Sequence, residues 1–232
     1  MIQIKSYADP RHNQYCAFCA NFKTKLTKDH IPSKVFLNKP YPENMHIVQA
    51  CHNCNNGFSI DEEYIAYWIE IAIFKETGVE TERYKKTLKA LRRNISLRKK
   101  ILGNNLFGKD ELLPIDDNRL KNILFKLASG HILFRYSNPQ YKKPTYIKWG
   151  FLLSLNRRDR NKFESIPKIE VLPESGSRTI IMIDKFGQYY YPWEIVQDDV
   201  YRYLVASAEN STFVKIVLSE FIYAEVIWLR DT

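Results

Sequence analysis

The chain has 232 residues, room for one large domain or for a small one joined to a medium one. Its 45% hydrophobic and 14% aromatic content supplies a real core, and no apolar stretch reaches the roughly 18 residues of a membrane span. A net charge of +9 and a pI near 9.2 favour a polyanionic partner, nucleic acid being the usual one, although charge alone leaves an ordinary basic soluble protein equally open.

Residues 1–13 read as a lead-in with one strand at Ile2–Tyr7, and His12 as a surface histidine. The opening M-I-Q-I-K-S-Y-A-D-P has no basic region followed by an apolar run, so a cytoplasmic location is expected. All four cysteines follow, in two C-x-x-C pairs: Cys16 with Cys19, and Cys51 with Cys54. In a chain without an export signal such pairs point to metal rather than disulfides. Tetrahedral Zn²⁺ takes four thiolates, and each C-x-x-C turn presents two. Leu26–Ile31 is expected to be a strand closed by Pro32, which lacks an N–H and holds its predecessor extended. Asn38 to Asn44 reads as a loop with Pro40 and Pro42, and His46–Ala50 as a second strand leading into the second pair. Ser59-x-x-Glu62 has the form of a capping box, predicting a helix from near Ile60 to residue 76 with Asp61, Glu62 and Glu63 in its first turn. Ile65, Trp68, Ile69, Ala72 and Ile73 recur at helical spacing, and Gly78 ends the run.

Residues 80–102 carry nine basic side chains from Arg83 to Lys100 and no acidic one between them. Tyr84, Leu88, Leu91, Ile95 and Leu102 predict the packed face of a single basic amphipathic helix. Its other face suits phosphate contact; a solvated face, an acidic membrane surface and a partner helix are the competing readings. Residues 103–118 read as a loop. Asp116-Asp117 read as the start of a helix Asn118–Ser129 rather than a metal pair, and His131 as a packed histidine. From about residue 145 to 230 the pattern is strands: Tyr146–Leu155, Lys168–Leu172, Thr179–Asp184, Gln188–Val196, Tyr201–Ser207, Ser211–Val217 and Phe221–Leu229. Short connections predict a mostly antiparallel sheet. Tyr189, Tyr190, Tyr191 and Trp193 suit a sheet core better than a base-stacking surface. Arg157, Arg158, Arg160 and Lys162 form a smaller basic cluster, expected in a loop.

The pattern C-A-F-C, then K-D-H-I-P, then A-C-H-N-C-N-N-G resembles the HNH, or His-Me finger, endonucleases, in the version of the phage endonuclease VII type. The resemblance covers roughly residues 14–65. A weaker one, carried by S-I-D-E-E-Y at 59–64, L-A-S-G-H-I-L-F at 127–134 and the aromatic-rich final strands, is to bacterial HNH proteins with a long C-terminal region. The fold this implies is α+β: an N-terminal zinc-stapled ββα-metal finger over residues 1–78, then a helical and β-rich C-terminal domain over 79–232. The resemblance implies structural zinc on Cys16, Cys19, Cys51 and Cys54, His30 as general base, and one catalytic Mg²⁺ or Mn²⁺ held by Asp29 and Asn55. It also implies 5′-phosphate and 3′-hydroxyl products. Many family members carry histidine where this chain has Asn55, and the middle asparagine of the family would fall to Asn44, at a longer spacing than usual. His46 and His52 are close enough in sequence to assist, but the structural reading is preferred for each.

These residue types suit the chemistry. A neutral imidazole can take the proton of an attacking water, and a hard divalent ion with oxygen ligands can stabilise the charge that develops on the phosphoryl and leaving oxygens. Lys28 and Lys34 flank the Asp29-His30 pair and, with Lys85, Lys89, Arg92 and Arg93, are the candidate nucleic-acid contacts. The expectation is a metal-dependent endonuclease, with DNA as the first substrate. A non-catalytic zinc module that binds nucleic acid or a partner, and an RNA-cleaving nuclease, remain open. An activity housed in the C-terminal region finds no nucleophile–base pair or glycine-rich phosphate loop there; choosing the substrate, holding a homodimer and binding a partner protein are the roles open to that region.

Overall fold

The computed structural model describes residues 13–43, 45–103, 112–165, 182–183, 187–208 and 210–230. Their elements run β1 (Leu26–Ile31), β2 (His46–Cys51), α1 (His52–Thr77), α2 (Glu82–Arg93), α3 (Ile95–Leu102), α4 (Asp117–Tyr136), β3 (Tyr146–Phe151), α5 (Arg157–Glu164), β4 (Met182–Ile183), β5 (Tyr189–Tyr190), β6 (Glu194–Gln197), β7 (Tyr201–Ala208), β8 (Ser211–Leu218) and β9 (Ile222–Leu229). The fold is mixed α+β, and every strand pairing among the described residues is antiparallel. The expected strand Ile2–Tyr7, His12, Asn44, the strand Lys168–Leu172 and most of Thr179–Asp184 lie outside the described residues.

The chain forms two compact units, Met1–Asn56 with Leu124–Thr232, and Gly57–Ile123. The expected break at residue 78 therefore falls inside the second unit. The first unit holds the β1–β2 hairpin and a five-stranded sheet of order β3-β9-β8-β7-β6. The C-terminal half of α4 touches both. Toward the hairpin, Gly130 lies against Ile31 and Phe134 stacks on His46 at 3.5 Å between ring centroids. Toward the sheet, His131 bonds the Tyr201 hydroxyl at 2.8 Å and Arg135 pairs with Glu194. Strand residues alternate between faces, so Tyr201 and Tyr203 face α4 while Arg202 and its cross-strand neighbour Val217 face the other way. There α5 packs through Phe163 onto Val217 and Tyr223. Arg202 bonds Glu164 at 2.6 and 2.7 Å and Glu220 at 2.6 and 3.0 Å, fastening α5 to that face.

In the second unit, Asp61 of α1 pairs with Arg119 at 3.1 Å and accepts from Asn122 at 2.7 Å. Glu70, buried on α1, accepts from Thr81 at 3.2 Å and pairs with Arg83 at 2.9 Å. Phe74 stacks on Tyr84 at 4.0 Å.

Four expectations are corrected. Helix α1 starts at His52, not near Ile60, so Ser59, Asp61, Glu62 and Glu63 sit in its interior and the Ser59-x-x-Glu62 pattern caps nothing. The basic stretch is two helices: Asn94 leaves helical geometry and its side chain accepts from the Leu97 N–H at 3.0 Å, which ends α2 and caps α3. The break shifts the helical phase, and Ile95, expected to be packed, is 63% exposed. Helix α4 does not stop at Ser129 but runs through Gly130 and His131 to Tyr136. The Arg157–Lys162 cluster lies on a helix, α5, whose N-terminus Asn156 caps by accepting from Asp159 N–H at 2.9 Å. The role expected of Asp116 holds: its carboxylate accepts from the N–H groups of Asn118 and Arg119 at 3.1 and 3.2 Å and opens α4.

Candidate metal centre and active site

The first pair of cysteines lies on a turn that reverses just before β1. Cys16 N–H donates to Asn21 O at 2.9 Å and Ala20 N–H to Cys16 O at 3.1 Å; Ala17 N–H bonds Gln49 O of β2 at 2.7 Å. Cys51 is the last residue of β2 and Cys54 lies in the first turn of α1, where its N–H points at the Cys51 sulfur at 3.5 Å. All four Sγ atoms lie within 4.8 Å of one another, with Cys19 and Cys51 at 3.7 Å. Four sulfurs on one zinc at about 2.3 Å stand about 3.8 Å apart. The cluster is thus placed to hold a metal ion, and its four thiol donors suit zinc. Such an ion ties the turn before β1 to the end of β2 and the start of α1. Cys54 is presented from the first turn of α1.

β1 and β2 pair in register with Asp29 opposite Val48 and His30 opposite Ile47. Residues 27, 29 and 31 face one side of the hairpin; 28 and 30 face the other. On the first side Asn55 Nδ2 donates to Thr27 Oγ1 at 3.0 Å, and Thr27 Oγ1 donates to Ala50 O at 3.0 Å. Asn55 therefore joins the same face as Asp29, two residues along the strand. The Asp29 carboxylate is buried and meets an ammonium group. Lys126 Nζ lies 2.9 Å from both of its oxygens and donates to Ser33 Oγ at 2.8 Å. Lys126 itself is 0% exposed.

His30 occupies the opposite side and is half-buried. Its Nε2 is enclosed and has no hydrogen-bond partner among the described residues. Burial pushes the imidazole below its usual pKa, and the charges of Lys34, Lys126 and Lys28 push in the same direction. At neutral pH the ring is an uncharged base within a positive field. Lys28 is exposed. Lys34 is partly buried, 5.7 Å over the Tyr41 ring, which Lys39 also approaches at 5.8 Å.

Lys86, Lys89, Arg92, Arg93, Lys99 and Lys100 are exposed on α2 and α3. Lys85 is exposed beside Glu82, at 3.6 Å. His52 is exposed and contacts the Asn56 amide at 3.3 Å. His46 and His131 are packed side chains. His46 is held down to a pKa of about 3, by burial and then by Arg135. Tyr191 is 2% exposed and Trp193 N–H donates to Glu164 O at 3.0 Å, so both belong to the packing of the sheet.

Sequence reasoning missed Lys126. The one signal available was its spacing: it stands a helical turn before Gly130, the residue where α4 comes closest to β1. Among the described residues no helix is long and apolar enough to cross a membrane. No protein-family model, curated protein or solved structure matches the chain.

Proposed function

We propose that the chain is a zinc-stapled His-Me finger endonuclease that breaks phosphodiester bonds of nucleic acid, with His30 as the general base. The observation that carries this reading is the position of His30: a half-buried imidazole one residue before the end of β1, with Lys28 and Lys34 close enough for their charges to act on it. The order hairpin, then helix, with four cysteines gathering the three segments, supports the family reading. Because Nε2 is enclosed, Nδ1 is the nitrogen assigned to take the proton. Lys28 and Lys34 stand in the right charge environment to hold the phosphate. The exposed lysines and arginines of α2 and α3 supply a salt-dependent attraction for the polymer.

A divalent ion on Asp29 and Asn55 does not fit this arrangement. The ammonium of Lys126 already stands 2.9 Å from each carboxylate oxygen of Asp29 and is itself buried. No step is therefore routed through such an ion.

The test is cleavage of labelled single-stranded and duplex nucleic acid by purified, zinc-loaded protein, wild type against folded His30→Ala. Cutting that falls by about 100-fold or more in the variant supports the base role. Equal cutting by both proteins removes it.

A further inference from the structure

We propose that the polymer cut at His30 is RNA, and that the reaction is an internal transesterification needing no divalent ion on Asp29. This rests on the nuclease reading above and adds the substrate class and the nucleophile.

The argument begins with Lys126. It reaches Asp29 and Ser33 from α4, and α4 is pressed against β1 one turn later, where Gly130 meets Ile31. The helix fixes the lysine in place. Seating a divalent ion on Asp29 would strip Lys126 of its counter-charge while leaving it buried, a strongly unfavourable exchange. Asp29 is thus committed to holding the strand end and the turn at Ser33. Among the described residues, the only group of three or more His, Cys, Asp or Glu side chains placed to share an ion is the four-cysteine cluster.

That leaves His30 with lysines around it. An ordinary water is a poor nucleophile for a DNA phosphodiester, and a lone imidazole gives it little of the activation that a metal ion supplies. RNA brings its own nucleophile. Its 2′-hydroxyl is held next to phosphorus by the ribose, so the attack is intramolecular and needs only a base and charge stabilisation. In the proposed step the 2′-oxygen bonds to phosphorus and its proton passes to His30. The bond from phosphorus to the 5′-oxygen breaks, and that oxygen takes a proton from solvent. His30 then returns its proton to solvent. No water is consumed; the products are a 2′,3′-cyclic phosphate and a 5′-hydroxyl. Lys28 and Lys34 offset the charge on the phosphoryl oxygens.

The experiment uses the full chain with its zinc content verified before and after the assay. Its substrates are an RNA oligonucleotide, the DNA of the same sequence, and the RNA with one 2′-deoxy residue at the mapped cut. Each is incubated in buffer stripped of free divalent ions and, in parallel, with added Mg²⁺ or Mn²⁺. The expected result is RNA cleavage in the stripped buffer that leaves 2′,3′-cyclic phosphate ends. The 2′-deoxy substitution blocks it, His30→Ala lowers it by about 100-fold, and the DNA stays intact. Cutting that appears only with Mg²⁺ or Mn²⁺, or that leaves 5′-phosphate ends or cleaves the DNA, overturns the RNA proposal while the nuclease reading stands. No cutting of either polymer in either buffer overturns both.

Discussion

Gly130 of α4 meets Ile31 of β1 so closely that a side chain has no room there: a Cβ on residue 130 would stand 2.6 Å from Ile31 Cγ1 and 2.7 Å from Cδ1. Alanine is the better helix former by about 1 kcal/mol. Even so, Gly130→Ala is expected to lower stability, by about 1–3 kcal/mol, because helix and strand must separate. Chemical denaturation reads this directly. In an Ile31→Ala background the cost of Gly130→Ala shrinks toward zero. A variant more stable than wild type in the Ile31 background would mean that α4 does not lie on β1 in this way.

The same contact holds Lys126 over Asp29. Removing the lysine alone, as Lys126→Met, leaves a buried carboxylate without its counter-charge and costs about 3–5 kcal/mol. Replacing both partners, Asp29→Asn with Lys126→Met, should recover much of that loss, since no lone charge then remains inside. Denaturation of wild type, both single variants and the double variant closes the cycle. Strictly additive losses would show that the two groups contribute nothing as a pair.

How much of this was legible beforehand varied with the range of the interaction that decides each feature. The hairpin was readable because Pro32 and the cysteines are local signals, and β1 runs Leu26–Ile31 as expected. The strands β7, β8 and β9 were readable from their β-branched and aromatic content. The start of α1 was not: Ser59-x-x-Glu62 has the spacing of a cap, but α1 begins at His52, directly after β2, and the pattern falls inside the helix. The helix expected to end at Ser129 continues through Gly130, which serves as a contact surface. The state of Asp29 was hidden because its partner lies 97 residues away in sequence. The commitment of Asp29 depends on how α4 packs, which no local pattern around residue 29 reports.

Ala20 completes the first cysteine turn with φ at 58°, a conformation that glycine adopts freely and alanine does not. Ala20→Gly is expected to raise the stability of the zinc-loaded protein by about 0.5–1 kcal/mol and to slow loss of the metal. Chelator competition with a zinc-sensitive dye measures the second effect. Complete removal of the metal by chelation should lower the melting temperature well beyond the change made by Ala20→Gly, because folding and metal binding are coupled in small cysteine sites. A melting temperature untouched by chelation would remove the zinc assignment.

The pH dependence follows from the histidines packed on α4. His46 lies against Phe134 and His131, with Tyr203 of β7 edge-on and the Arg135–Glu194 pair nearby. Burial is the main reason its pKa falls to about 3 from the ordinary 6.5, and the Arg135 charge adds to it. His131 is also held well below the ordinary value, first by burial and then by His46 and Arg135. A base whose pKa is lowered by folding takes up its proton more readily in the unfolded chain. Stability is therefore unaffected by these groups above pH 6.5 and falls as pH drops below it, levelling off for His46 near pH 3. At pH 5 His46 alone should cost about 2 kcal/mol relative to neutral pH. Carboxylates also titrate in acid, so the informative quantity is the difference between wild type and His46→Phe, which cannot take up a proton at that position. Urea unfolding at pH 7 and pH 5 should show a smaller acid loss in the variant, by about that amount. An equal loss in both proteins would mean that His46 is not buried in its uncharged form.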